Sequence, residues 1–294
     1  MTGTEAALAA CRFGQAAAAM LLWGGLGFLA VLTPPAAADA VSTRLHWIWP
    51  WATLTAAAAT LATLPVEIAQ IGSGWQDVLS ASVWSKVLFE TGAGQAWQQE
   101  AAAALLLLAA RLTPVPVRRA ATALAAGLIL TSLALTGHAA MHMGWLGLAQ
   151  RANATVHVLA AGSWLGALVP LLPTLAMLDG PHGREAVVAL HRFSAVGHAA
   201  VGLVLLTGAL NAALILGGWP SDPGAPYQAL LLTKIAVVAL MIGLATLNRY
   251  RFVPRIARHP ALALTSIRRA TYLEIALGLG ALALVAVFGL LEPA

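Results

Sequence analysis

The chain has 294 residues, of which 60% are hydrophobic and only 9% are charged. An average soluble domain carries about 25% charged residues, so a water-soluble globule is excluded, and the long unbroken apolar runs exclude a strand barrel, whose signature is alternating segments of about ten residues. The formal charge of +5 comes from loop arginines and reads as a topology signal rather than a nucleic-acid footprint, while a single cysteine, Cys11, permits neither an internal disulfide nor a CxxC metal motif.

What remains is an all-α polytopic membrane bundle, a single integral membrane domain over residues 1–294. Several runs reach the roughly 20 apolar residues needed to cross the hydrocarbon as a helix, and about eight transmembrane helices are predicted. The first runs from Phe13 to Leu32. It is read as a retained helix because its flanks carry few charges; the small residues of Pro34–Ala40 leave cleavage as the alternative. The second runs from Trp49 to Ile71 and contains Glu67, and the third from Trp97 to Leu112. The fourth and fifth are placed at Ala120–Met143 and Ala154–Leu178. The last three are Phe193–Leu216, Tyr227–Leu247 and Thr271–Leu291.

Loop charge sets the expected orientation. Of the 16 Lys and Arg, 12 fall in the loops after the first, third, fifth and seventh spans, and four on the other side. The positive-inside rule then places both termini outside the cytoplasm. The basic loop from Asn248 to Arg269 is the strongest determinant. The longest outer connection, Gly72 to Ala96, carries Trp75 and Trp84 at the level of an interfacial aromatic belt. Its end, LFETGAGQAW, reads as a turn leading into a helix.

The densest polar chemistry lies in Thr136–Leu168, where Gln150–Asn153 is read as the break between two antiparallel helices. His138, Met141, His142, Met143 and His157 cluster around it. Imidazole and thioether together are copper ligands, thioethers favouring Cu(I) and imidazoles accepting Cu(I) or Cu(II). His138 and His142, four residues apart, are expected to share a helix face, and His157 lies about one turn into the following span. One helical histidine alone is more often a structural hydrogen-bonding group; three within twenty residues, with two methionines, point to a metal site open to the outer face.

Glu67, near the outer end of its span, is expected to ligate metal, orient a ligating histidine or relay protons, since carboxylates in hydrocarbon face the bundle interior or water; an interfacial glutamate is the alternative. Glu90 and Glu100 are less specific. His198 and Asn211 offer polar stations along a path through the bundle, or else helix–helix hydrogen bonds. Lys234 is expected to snorkel to the outer interface, and Glu274 to pair with a basic residue of the Asn248–Arg269 loop. Gly162 and Gly166 form a GxxxG pair that signals close helix packing. No phosphate loop, GxSxG elbow or HExxH motif occurs, so the chain is not read as an enzyme.

Several stretches, in this order, carry a family resemblance: LTGHA (Leu135–Ala139), VHVLAAGSWLGAL (Val156–Leu168), RFSAVG (Arg192–Gly197), LLTGALNA (Leu205–Ala212), YQALLLTKIAVVALMIGLATLNRYRFVPRI (Tyr227–Ile256) and LEIALG (Leu273–Gly278). With them the chain resembles the CopD-type copper resistance membrane proteins, which include copper-import proteins fused to CopC-like domains. The resemblance covers most of the chain and is strongest over residues 135–291. It implies a multi-pass protein of the bacterial inner membrane that moves copper, from periplasm to cytoplasm, with a periplasmic CopC-like partner. It carries His138 and His157 over as metal residues, with His142, Met141 and Met143 as local additions. Glu100 departs from the family pattern, where a basic residue is expected at the entry to the third span. Two rival readings stand beside it: a b-type haem electron-transfer protein with paired axial histidines, and a non-transporting copper scaffold or sensor.

Overall fold

The computed structural model describes residues 2–135, 137 and 141–293, and among these every regular element is helical. Helix α1 (Gly3–Met20) opens with a capping box: the Thr2 hydroxyl accepts from Glu5 N–H, and the Glu5 carboxylate accepts from Thr2 N–H. It continues through wider, π-helical turns, Leu21–Leu26 and Phe28–Leu32, which close where Thr33 N–H donates to the Phe28 carbonyl five residues back, at 3.1 Å. Short α2 (Pro35–Arg44) leads to α3 (Ile48–Ile71). Then come α4 (Ala81–Glu90), α5 (Gly92–Ala110) and α6 (Val115–Ser132), the last extended by a 3₁₀ turn at Leu133–Leu135. The second half of the chain is four long helices: α7 (Gly144–Leu175), α8 (Gly183–Leu216), α9 (Pro226–Leu247) and α10 (Pro260–Phe288).

Seven of these helical stretches are long and apolar enough to cross a bilayer: Gly3–Leu32, Ile48–Ile71, Val115–Leu135, Gly144–Leu175, Gly183–Leu216, Pro226–Arg255 and Pro260–Phe288. The remaining expected span is α5. Its 19 residues extend about 28 Å, but Gln95, Gln98, Gln99 and Glu100 make its first half polar. It is still an inner member of the bundle. It packs between α3 and α6, buries Glu100, Ala103, Ala104 and Leu107, and holds α3 through Trp97 Nε1, which donates to the Thr60 carbonyl at 3.0 Å.

The helix break in the central stretch is not at Gln150–Asn153. Those residues are helical, and α7 runs through them for 32 residues. Upstream, the described residues Met141–Met143 are not helical, and Gly137 and Gly144 take φ of +62° and +63°. Such backbone suits glycine and ends a helix. Gln150 and Asn153 can stay inside the bundle because their amides find protein partners there. The fourth predicted span, Ala120–Met143, therefore ends some eight residues early.

One core joins the bundle, built largely from alanine and leucine. Small residues allow backbones to touch, and the GxxxG pair shows it. A Cβ on Gly166 would lie 1.9 Å from the Met20 carbonyl oxygen, and one on Gly24 would lie 2.1 Å from the Gly162 carbonyl oxygen. The motif is thus used within the chain, to seat α7 on the glycine-rich π-helical turns of α1. Trp23 fastens the same seam, its indole N–H reaching the Leu159 carbonyl (3.0 Å) and Ser163 Oγ (2.9 Å). A smaller apolar cluster sets amphipathic α4 on the end of α3 through Leu64, Ile68 and Val87.

Candidate functional site

Successive long helices alternate in direction, so the C-terminal ends of α3, α8 and α10 meet the N-terminal halves of α1, α5, α7 and α9 at one end of the bundle. Arg12 of α1 donating to the Gly289 carbonyl after α10, at 3.3 Å, is one such junction. Leu135, at the end of α6, and Gly144, at the start of α7, lie at this same end. Below them is a cavity of about 560 Å³. Its walls are mostly apolar, and its polar groups come from five helices: Arg12 and Gln15 (α1), Thr63 and Glu67 (α3), Glu100 (α5), His157 (α7) and Lys234 (α9).

His157 lies 13 residues into α7, about 20 Å along the helix. Its Nδ1 is 2.9 Å from Thr207 Oγ1 of α8. Thr207 gives its own hydroxyl proton to the Leu203 carbonyl, so Oγ1 acts as acceptor and Nδ1 carries the imidazole proton. Nε2 is then the nitrogen with a lone pair, on a ring that lines the cavity. This is the arrangement in which a second hydrogen bond fixes a histidine for metal binding. Glycine at position 208 makes room for it: a Cβ there would stand 3.2 Å from His157 Cε1. Asn153, one turn before His157, ties α7 to α8 by donating to the Thr207 carbonyl (2.9 Å) and to Asn211 Oδ1 (2.8 Å).

The second polar group in the cavity surrounds Glu67. Gln15, 1% exposed, donates from Nε2 to Glu100 Oε2 at 3.1 Å, and Glu100 is itself 5% exposed. Arg12 lines the same part of the cavity as Glu67 and Glu100. Glu67 therefore faces the interior alongside a second carboxylate and a guanidinium, and belongs to the same cavity as His157.

The other predicted site residues are distributed as follows. His138 lies outside the described residues. His142 stands in the extended segment just before α7, not on a helix, so the shared helix face expected for it does not form. Its Nδ1 meets Gln150 Oε1 at 2.7 Å; an amide oxygen only accepts, so here too Nδ1 carries the proton and Nε2 the lone pair. Met141 and Met143 flank it and are exposed, Met143 at 91%. His198 is far from this end: exposed on α8, it bonds the Ser194 carbonyl (2.6 Å) and Tyr250 Oη (3.2 Å), and is 13 residues, about 20 Å, from Asn211 along the helix. Among the described residues no three of His, Cys, Asp and Glu converge as a ready metal site.

Several contributors were not singled out by sequence reasoning. Thr207 and Gln150 orient the histidines and Asn153 ties α7 to α8; the signal for the two amides is a polar side chain inside an apolar run, which hydropathy reads as a break. Met20 and Met241, both buried, bring thioethers to the cavity wall. Lys234 lines the cavity, with Nζ 5.9 Å from the centre of the Phe288 ring, rather than only reaching for the interface. Glu274 takes its hydrogen bond from Asn248 Nδ2 at 2.8 Å, not from an arginine.

Residues 2–148 match the family model described as Copper resistance protein D-like, N-terminal domain, and residues 187–288 match the one described as Copper resistance protein D. The chain is 32% identical over 285 residues to the Inner membrane protein YebZ of Escherichia coli (strain K12), covering 97% of both chains. It is 30% identical over 247 residues to Copper resistance protein D of Pseudomonas syringae pv. tomato, covering 78% of each. It is 28% identical over 241 residues to the Copper transport protein CutJ of Bacillus subtilis (strain 168), covering 78% of this chain and 42% of the relative. No solved structure matches.

Proposed function

The chain belongs to the copper resistance protein D family, and from that premise we propose that it carries copper across a bacterial inner membrane, from periplasm to cytoplasm. The observation that carries this reading is His157: a half-buried imidazole held through Nδ1 by Thr207, on the wall of a cavity at the end of the bundle where His142 stands. Loop charge makes that end the periplasmic one. In this reading His138 and His142, with Met141 and Met143, meet copper first. His157 receives it within the cavity, where Glu67 supplies an anionic oxygen and Met20 and Met241 supply thioethers suited to Cu(I).

Copper is cargo here, so a loose and incomplete ligand set is what transport requires: binding strong enough to enter and weak enough to leave. The exposed methionines at the periplasmic rim suit handover from a periplasmic copper-binding partner of the CopC kind. Asn211 and His198 on α8 are the later contacts of this reading. The chain has no nucleotide-binding motif, so an ion gradient or the copper gradient drives the movement.

Copper content and an absorption spectrum of the detergent-purified protein, beside His138→Ala and His157→Ala, test the site. Stoichiometric copper in the wild type, lost in both variants and without a Soret band, is expected. A Soret band that disappears in the variants would replace the reading with haem electron transfer, and copper retained in full by both variants would refute the site.

A further inference from the structure

The cavity has one wall that the copper reading leaves unexplained. Helix α9 packs along α10, and no interface of comparable extent joins it to α7 or α8. Consecutive helices α8 and α9 thus stand apart, and the cavity fills the cleft between them. Val204, Gly208 and Ala212 on one side face Leu231, Lys234 and Val238 on the other. The cleft is not sealed from the bilayer: Leu205 and Ile235, which also line it, are 51% and 47% exposed.

Beside the polar groups of the copper reading, the α8–α9 side of the cavity has the size and apolar walls to take a molecule. About 560 Å³ falls in the range of small-molecule sites, roughly 300–1,000 Å³ and mainly apolar, and walls of Val, Leu, Ile and Phe offer water few partners. The one charge on the α9 wall is Lys234. It makes no hydrogen bond or ion pair among the described residues, whereas Arg12 on the far wall donates to the Gly289 carbonyl and shares that part of the cavity lining with Glu67 and Glu100. An ammonium in apolar surroundings is costly unless an anion meets it.

Depth decides what kind of anion. The stretch Pro226–Arg255 has 30 residues, about 45 Å against a hydrocarbon core of about 30 Å. Lys234, eight residues from its start, then lies only about 5 Å inside the hydrocarbon boundary, where the head of a lipid entering the cleft can reach it.

We propose that the α8–α9 cleft binds a membrane amphiphile with a single anionic head group, the head on Lys234 and the chain along the apolar walls. The shared chemistry is that of a phospholipid phosphate or a fatty-acid carboxylate. The site rests on the cleft and Lys234, not on copper, and stands or falls separately from the transport reading.

The test uses the full chain in phosphatidylcholine nanodiscs, doped with phosphatidylglycerol in one arm and with oleate in the other, and reads bound amphiphile by native mass spectrometry. Lys234→Met removes the charge at similar length, and Ala239→Phe fills the cleft while keeping the lysine; thermal unfolding checks that both fold. One bound phosphatidylglycerol or one bound oleate per chain is expected in the wild type, identifying the source by arm. Each variant that folds should lose roughly tenfold or more in affinity, the scale of one charge-assisted hydrogen bond. Binding in neither arm, or binding unchanged in the folded variants, would overturn the proposal.

Discussion

Replacing Gly166 by alanine should separate α1 from α7. The added carbon would stand 1.9 Å from the Met20 carbonyl oxygen and 3.0 Å from Gly24 Cα, where ordinary contact begins at 3.4 Å, so α1 must retreat by about 1.5 Å. Neither neighbour is a side chain that can swing away; both are backbone. Overpacking a core costs about 1–3 kcal/mol when side chains can adjust, and here they cannot. The retreat also stretches the indole hydrogen bonds from Trp23 to Leu159 and Ser163, each contributing about 1 kcal/mol. We expect a loss of about 3–5 kcal/mol. Gly243 is the control, because a Cβ there meets nothing within 4 Å, and alanine at a helix interior gains about 0.5–1 kcal/mol. Unfolding in one detergent by heat or by dodecyl sulfate should rank Gly166→Ala well below wild type and Gly243→Ala at or above it. Equal stabilities for the two variants would refute the close approach of the two backbones.

Thr207→Val keeps the shape of the side chain but removes the acceptor for His157 Nδ1; copper affinity measured by competition with a chelator should fall about 10–100-fold, as for other groups that orient a metal-binding histidine, with copper stoichiometry recovered at high copper. Gln150→Leu frees His142 in the same way and should weaken copper capture at low concentration while leaving unfolding within about 1–3 kcal/mol of wild type. Asn248→Leu leaves the buried carboxylate of Glu274, 2% exposed, without its donor; a loss of about 1–3 kcal/mol is expected in the unfolding assay, and no loss would mean that the carboxylate is satisfied elsewhere.

The helices were readable because hydropathy over twenty residues is a strong signal. α3 and α9 begin and end within a residue or two of their predicted limits. The misplaced break shows where that signal runs out. Gln150 and Asn153 look like a loop to any hydropathy count, yet they are inside α7 because His142, Thr207 and Asn211 lie opposite them, and such partners are fixed only by the fold. Gly137 and Gly144 take left-handed backbone, which composition does not distinguish from the helical glycines around them. His157 and Glu67 could be picked out as ionisable groups in apolar helices. That they share one cavity could not, since it requires α3 and α7 to face one space across α1. That Lys234 lines the same cavity was equally out of reach, since it depends on which face of α9 borders the cleft.

Copper flux into sealed proteoliposomes is the most direct test of the central claim. Vesicles holding a copper-sensitive fluorophore, with the protein inserted in a known orientation, should show copper entering from the face that carries His142, and His157→Ala should abolish that entry while leaving the protein folded. Wild-type vesicles no more permeable to copper than protein-free ones, or a His157→Ala flux equal to wild type, would contradict it.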